Sequence, residues 1–102
     1  MIKEISVHEL KAMLDKKEDF QLIDVREPYE NDEMNMHGLL IPMGDVIREL
    51  DKILKDKKVV IHCKSGVRSA NVVAYLQEKY GMQNLYNLKG GIIAWMSAFP
   101  KG

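Results

Sequence analysis

The chain has 102 residues, of which 46% are hydrophobic, and its fifteen basic side chains balance fifteen acidic ones. This length supports one hydrophobic core, so we expect a single domain over residues 1–102. A net charge of zero provides no overall attraction for nucleic acid or an anionic membrane. No apolar run approaches the roughly twenty residues of a membrane helix, and the N-terminus lacks the apolar region of a signal peptide. We therefore expect a cytoplasmic protein that binds neither nucleic acid nor a membrane.

The chain alternates between strand and helix patterns, which is typical of an α/β fold. Residues Ile2–Ile5 fit a small edge strand. A helix is predicted to begin at Ser6, because Glu9 follows three residues later and the two form a capping box. The runs FQLIDV and KKVVIHC are short, apolar and rich in β-branched residues, so they predict buried parallel strands that end at Asp24 and Cys63.

The remaining elements follow in order. The segment GDVIRELDKIL between those two strands has apolar residues at helical spacing and predicts a helix. A further helix is predicted to start near Ser69 and to stop at Gly81, where a positive φ is commonly needed. NLYNL then reads as a strand, and GGIIAWMSAF as a short final helix after a glycine-rich turn.

The only cysteine, Cys63, lies where an apolar strand pattern stops and a helical pattern is about to resume. The backbone N–H groups of residues 64–69 lack helical partners at such a turn, so we expect them to form a site for negative charge. The following helix adds its positive end, and Lys64 and Arg68 add charge, while Gly66 permits a tight turn. A thiol in this setting ionises easily. Cys63 is therefore a candidate nucleophile that needs no general base.

Other polar residues are predicted to lie near this cysteine. Loops that leave the carboxyl ends of parallel strands gather at one edge of the sheet, so Asp24 and Arg26 are expected beside Cys63. His62 precedes the cysteine in the strand and is expected to point to the opposite face. One cysteine cannot form an internal disulfide, in agreement with a reducing compartment.

Three segments in this order resemble the rhodanese (thiosulfate sulfurtransferase) family. HCKSGVRSA is similar to its active-site loop, LIDVREPYE to the segment after a central strand, and LKGGIIAW to a C-terminal glycine pair followed by tryptophan. The resemblance implies a single rhodanese-like α/β domain, with a mostly parallel sheet of about five strands and helices on both faces. It implies neither a metal nor an organic cofactor. One departure is MNMHGLLIPMGDV, which lacks the family's His-x-Pro pattern and bears on substrate preference more than on fold.

The resemblance also implies a reaction. Cys63 would take a sulfane sulfur from thiosulfate or a similar donor as a persulfide, and would pass it to a thiophilic acceptor. The resemblance implies cyanide as the acceptor in vitro and a thiol or a sulfur-accepting protein as the acceptor in a cell. The loop residues expected to bind substrate are Lys64, Ser65, Gly66, Val67, Arg68 and Ser69. Asp24 and Arg26 are expected to support the site.

Two other functions stay open from the sequence. A cysteine-dependent phosphatase or arsenate reductase shares the strand, loop and helix, but its loop has five residues between cysteine and arginine, whereas four separate Cys63 from Arg68 here. Such an enzyme also needs a general acid, and nothing singles out Asp24 or Asp45 for that role. A rhodanese-like module that only binds a partner is the other alternative. Such modules often lose the loop cysteine, which this chain retains.

Individual side chains have structural as well as functional interpretations. Arg68 either contacts substrate or braces the loop through a carboxylate, with Asp24 the candidate partner. Ser69 is expected to cap the helix rather than to react. Arg26 is expected to hold an ion pair near the sheet edge, and Lys64 either attracts substrate or is merely solvated. Core packing is the expected role of Met34, Met36 and Met43, with an apolar docking surface for an acceptor as the alternative. Turn and packing are the roles expected of Gly90, Gly91 and Trp95.

Overall fold

A computed structural model of the chain describes residues 1–101. The strands are β1 (Lys3–Ile5), β2 (Phe20–Asp24), β3 (Leu39–Leu40), β4 (Lys58–His62) and β5 (Leu85–Leu88). The α-helices are α1 (Val7–Asp15), α2 (Pro28–Glu33), α3 (Val67–Tyr80) and α4 (Gly91–Ala98). Within the described residues the strands form one sheet in the order β1-β5-β4-β2-β3, with every pairing parallel. The predicted α/β class and the five-stranded parallel sheet are confirmed.

The core of the described chain lies on both faces of this sheet, because side chains alternate along each strand. In β4, Val59 and Ile61 join the cluster that α3 covers with Val73. Val60, between them, joins the cluster that α1 and α4 cover, where Trp95 is 5% exposed. Helices therefore flank both faces, as predicted, and the sheet's central strands are buried on both sides.

Local signals explain where several elements begin and end. Ser6 is the N-cap of α1: its Oγ accepts the Glu9 N–H at 3.0 Å, and the Glu9 carboxylate accepts the Ser6 N–H at 2.9 Å. This is the predicted capping box. Helix α3 ends before Gly81, whose φ is +65°. No helix in residues 1–101 is both long and apolar enough to cross a membrane.

The helix predicted over GDVIRELDKIL is wrong. The segment contains two short 3₁₀ helices, Met43–Asp45 and Leu50–Lys52, separated by turns. The Gln21 side chain accepts the Leu54 N–H and donates to the Lys52 carbonyl, so it occupies groups that a continuing helix would use itself. Ile47 and Leu54, counted in the helical pattern, are exposed. A contact from β2 thus replaces helical hydrogen bonds at the end of this segment. The sequence interpretation also missed α2 and β3, both of which are short.

Candidate active site

The sulfur of Cys63 lies inside the turn that joins β4 to α3. The residue follows β4 directly and is 0% exposed. Its Sγ accepts the backbone N–H of Gly66 at 3.1 Å and that of Ser69 at 3.4 Å, and it lies 3.3 Å from the Ser69 Oγ. Backbone donors of this turn therefore point at the sulfur, which is the arrangement expected of an anion site.

These contacts change the acidity of the thiol. Burial raises the pKa of Cys63, because it disfavours the charged form. Hydrogen bonds from the Ser69 hydroxyl and from the N–H groups of Ser69, Gly66 and Ser65 act in the opposite direction and outweigh burial. The pKa of Cys63 is consequently lowered from its ordinary value, and the turn favours the thiolate.

Two glycines allow the turn to close against the start of α4. Gly66 has a φ of +96° and is the N-cap of α3. A Cβ on Gly91 would lie 2.6 Å from the carbonyl oxygen of Cys63 and 2.5 Å from that of Lys64. The N–H of Ile92 donates to the same Cys63 carbonyl at 3.0 Å. Gly91, in the glycine pair of the third motif, thus packs directly against the backbone of the cysteine turn. This contact is the physical reason for the role in turn and packing expected of the pair.

The carboxylate that pairs with Arg68 is Glu30, not Asp24. Arg68 donates through Nη1 and Nη2 to the two oxygens of Glu30 at 2.9 and 3.0 Å. The hydrogen bonds from Arg68 lower the pKa of Glu30 to about 2. The predicted partner, Asp24, is unavailable because Arg26 already occupies it. Glu30 is the residue that the sequence interpretation missed, although it is the last residue of the second motif.

Asp24 and Arg26 form a buried ion pair beside the turn, as expected for Arg26. Arg26 Nη2 lies 2.9 Å from Asp24 Oδ2, and the Arg26 N–H and Asn31 Nδ2 also donate to this carboxylate. Burial raises the pKa of Asp24, but the hydrogen bonds from Arg26 and Asn31 outweigh it and lower the pKa. The pair braces the chain between β2 and α2, the helix that carries Glu30.

Ser69 is not the helix cap that the sequence predicts. The N-cap is Gly66, because α3 begins at Val67, two residues earlier than Ser69. Ser69 instead lies in the first turn of α3, fully buried, with its hydroxyl between Cys63 and Asn87. The helix starts earlier because the turn around the sulfur needs only three residues after the cysteine.

His62 lies on the other side of β4 from Cys63, as strand alternation requires. It is 0% exposed, and within the described part of the chain neither ring nitrogen has a hydrogen-bond partner. Burial lowers its pKa from the ordinary value, because it disfavours the charged ring. Because its side chain faces away from the sulfur, His62 is not positioned to act as a base for the thiol.

A cleft of about 360 Å³ adjoins the turn, between α2 and α4. Its lining includes Arg26, Glu30, Lys64, Met34 and Ile93. Lys64 is exposed at the rim, where a cation attracts anions, and Ser65 and Val67 are exposed as well. The structure thus brings the predicted loop residues together around Cys63.

Comparison with known proteins identifies the family of the chain. The family model "Rhodanese-like domain" matches residues 6–98. The chain is 43% identical to YtwF of Bacillus subtilis, a protein whose name assigns it provisionally to the sulfurtransferases, over 92% of this chain and 90% of YtwF. It is 41% identical to a protein of Allochromatium vinosum named "Sulfurtransferase", over 93% of this chain and 89% of that one.

A solved structure shows the same architecture. The crystal structure of a rhodanese-like domain protein from Staphylococcus aureus superimposes with a TM-score of 0.83 at 35% identity, covering 92% of this chain and 91% of that one. The chain therefore belongs to the rhodanese-like domain family, as its three motifs indicate.

Proposed function

We propose that this protein is a sulfurtransferase that carries sulfur on Cys63. The observation that supports this most is the Cys63 sulfur, which accepts the N–H groups of Gly66 and Ser69 in a turn of the length typical of the family. Relatives named as sulfurtransferases share 41–43% of its residues over nearly the whole chain. The lowered pKa of the thiol supplies the nucleophile that this chemistry needs.

The first half of the reaction loads the cysteine. The Cys63 thiolate attacks the outer sulfur of thiosulfate, forming a new S–S bond while the S–S bond of thiosulfate breaks. The electron pair of the broken bond leaves with sulfite. Lys64 at the rim attracts the dianion, and the inward-facing N–H groups stabilise negative charge on the sulfur atoms during transfer. Arg68, which is 32% exposed in its side chain, holds the turn through Glu30.

The second half unloads the cysteine onto an external acceptor. A thiolate, cyanide or a sulfur-accepting protein attacks the outer persulfide sulfur, and the electron pair of the S–S bond returns to Cys63. Because the chain has a single cysteine, no second thiol of the same chain resolves the persulfide as a disulfide. The natural acceptor therefore comes from another molecule. We propose separately that the reaction takes place in the cytoplasm.

Intact-protein mass spectrometry tests this proposal. Reduced protein is incubated with thiosulfate and then treated with cyanide, with Cys63→Ser as the matched control. We expect a gain of one sulfur atom in the wild type alone, removed by cyanide as thiocyanate. If Cys63 is free and reduced yet gains no sulfur from thiosulfate or other donors, the proposal fails. Turnover of a phosphatase substrate or of arsenate would then favour the oxyanion enzymes, and inactivity in every assay would favour a binding module.

A further inference from the structure

A chain of hydrogen bonds leads from the Cys63 sulfur to the edge strand β1. Ser69 Oγ lies 3.3 Å from Cys63 Sγ and 2.5 Å from Asn87 Oδ1. Asn87 Nδ2 lies 2.9 Å from Glu4 Oε2 and 3.3 Å from the carbonyl oxygen of Gly66. Ser69 and Asn87 are 0% and 1% exposed, whereas Glu4 is exposed to solvent. The sulfur is therefore connected to the surface through two buried polar side chains.

The end of this hydrogen-bond series that lies farthest from Cys63 determines how the Asn87 amide is oriented. The Glu4 carboxylate and the Gly66 carbonyl only accept hydrogen bonds, so the amide nitrogen, which only donates, must face them. The amide oxygen consequently faces Ser69. An amide oxygen only accepts, so at 2.5 Å from Ser69 Oγ it is an acceptor for the serine hydroxyl proton.

Ser69 has one hydroxyl proton and two acceptors within reach. A hydroxyl donates once, so the proton is directed either to Asn87 Oδ1 or to Cys63 Sγ. When it is directed to Asn87, a lone pair of the oxygen faces the sulfur, which suits a neutral S–H group that donates to it. When it is directed to the sulfur, it adds a hydroxyl hydrogen bond to those that the backbone N–H groups give the thiolate. The two directions favour opposite charge states of Cys63.

We propose that Asn87, anchored by Glu4, competes with the Cys63 sulfur for the single hydroxyl proton of Ser69 and so restrains ionisation of the cysteine. Asn87 is then a positioning residue, because it acts on the sulfur through Ser69. The inference deepens the proposed function, and its effect on the rate of sulfur loading rests on that function. Its effect on thiol ionisation does not, because ionisation is measured without a sulfur donor.

Other charged or titratable groups on the turn and on the elements next to it are retained in the variants described below. They are Lys64 and Arg68 from the turn, Glu30 from α2, the Asp24–Arg26 pair at the end of β2, His62 at the end of β4, and Lys89 after β5. The positive charge of Arg68 lies close enough to the Cys63 thiolate to interact with it. Because these groups are common to all the proteins compared, a difference between variants reports the serine and asparagine contacts.

The test is a pH titration of thiolate absorbance at about 240 nm, where thiolates absorb and thiols do not, recorded against Cys63→Ser. The single cysteine assigns the whole difference signal to one group. Asn87→Leu removes the competing acceptor with a side chain of similar size, which leaves no room for a water to replace it. We expect the titration midpoint to move down by about one pH unit, since a hydrogen bond to a charged group has about that effect.

Ser69→Ala provides the opposite change. It removes the hydroxyl that donates to the thiolate, so the midpoint should move up. In the double variant, Asn87→Leu should add nothing to Ser69→Ala, because the proton for which Asn87 competes is gone. Opposite shifts in the single variants, and the loss of the second effect in the double variant, are results that general damage to the fold does not produce.

Glu4 allows a test at the surface that leaves the core intact. Glu4→Ala frees the Asn87 amide to turn its nitrogen towards Ser69, so the midpoint should fall, but by less than in Asn87→Leu. Glu4→Gln is the matched control, since it removes the negative charge and keeps an acceptor for Asn87 Nδ2. If Asn87→Leu does not fold, the Glu4 pair decides alone.

The outcomes separate this inference from the proposed function. A midpoint that rises in Asn87→Leu, an Asn87 effect that persists without the Ser69 hydroxyl, or equal shifts in Glu4→Ala and Glu4→Gln would overturn the competition. If the predicted shifts are seen but no donor loads sulfur onto Cys63, the competition for the Ser69 proton stands and the proposed sulfur transfer is overturned. With both correct, thiosulfate loads Asn87→Leu faster than wild type below the wild-type midpoint.

Discussion

Arg68 and Glu30 form a two-point ion pair that joins the first turn of α3 to α2. The guanidinium donates to both carboxylate oxygens, which is the stronger and more directional form of such a contact. The pair links the turn around Cys63 to the segment that follows β2. It therefore couples two motifs that lie nearly forty residues apart in the sequence.

The pH dependence of stability should reveal this pair. The pKa of Glu30 is about 2 in the folded protein and near 4.5 when unperturbed. Because the folded value is the lower one, the contribution is complete above about pH 4.5 and is lost as the pH falls towards 2. In Glu30→Gln the unfolding free energy should fall less steeply than in the wild type as the pH is lowered over this range. Urea denaturation at several pH values measures the difference. An unchanged slope would contradict a folded-state role for the pair.

Arg68→Lys should slow the loading of Cys63. A lysine has one point charge and cannot form the two-point contact, so the turn loses its geometry although it keeps its charge. We expect the rate of sulfite release from thiosulfate to fall roughly tenfold, with a smaller change in melting temperature. Arg48→Lys is the control, since it makes the same exchange in an exposed ion pair, with Asp45, away from the cysteine turn. If Arg68→Lys reacts at the wild-type rate, the pair has no part in shaping the turn.

Gly91→Ala should destabilise the protein. The new Cβ would lie 2.5–2.6 Å from two backbone carbonyl oxygens of the cysteine turn, and the residue has a φ of +60°. Overlap with backbone is not relieved by rotation of a side chain, so we expect a loss of about 1–3 kcal/mol in unfolding free energy. Gly44→Ala is the matched control, because apart from its chain neighbours no described atom would lie within 4 Å of the new Cβ, and its φ is not positive. Equal effects of the two substitutions would rule out the contact.

Asp24→Asn should be among the most destabilising of the conservative substitutions. It leaves the Arg26 guanidinium, 4% exposed in its side chain, without its charged partner. Breaking a buried ion pair from one side costs about 3–5 kcal/mol, whereas an exposed pair contributes about 0–1 kcal/mol. Asp15→Asn, which breaks the exposed pair with Lys11, is the comparison. Chemical denaturation of both variants measures the difference, and a small effect at Asp24 would mean that water reaches Arg26.

Much of the fold follows from patterns a few residues long. The capping box at Ser6, the β-branched run that ends at Cys63 and the glycine that ends α3 each act locally, and each is found where the sequence predicts it. The segment that ends at Leu54 differs, because the Gln21 side chain on β2 takes the hydrogen bonds of Lys52 and Leu54 that a helix would need. Local spacing cannot include a hydrogen bond that forms only when the sheet assembles.

The sequence by itself determined the α/β class, the longer strands and helices, the family, and the position of the single thiol before a helix. These depend on side-chain type and short spacing, which folding does not alter. Only the tertiary structure decided that Glu30 rather than Asp24 pairs with Arg68, and that Ser69 faces both the sulfur and Asn87. Contacts of this kind depend on distances between strands and helices, and those distances exist only once both faces of the sheet are packed.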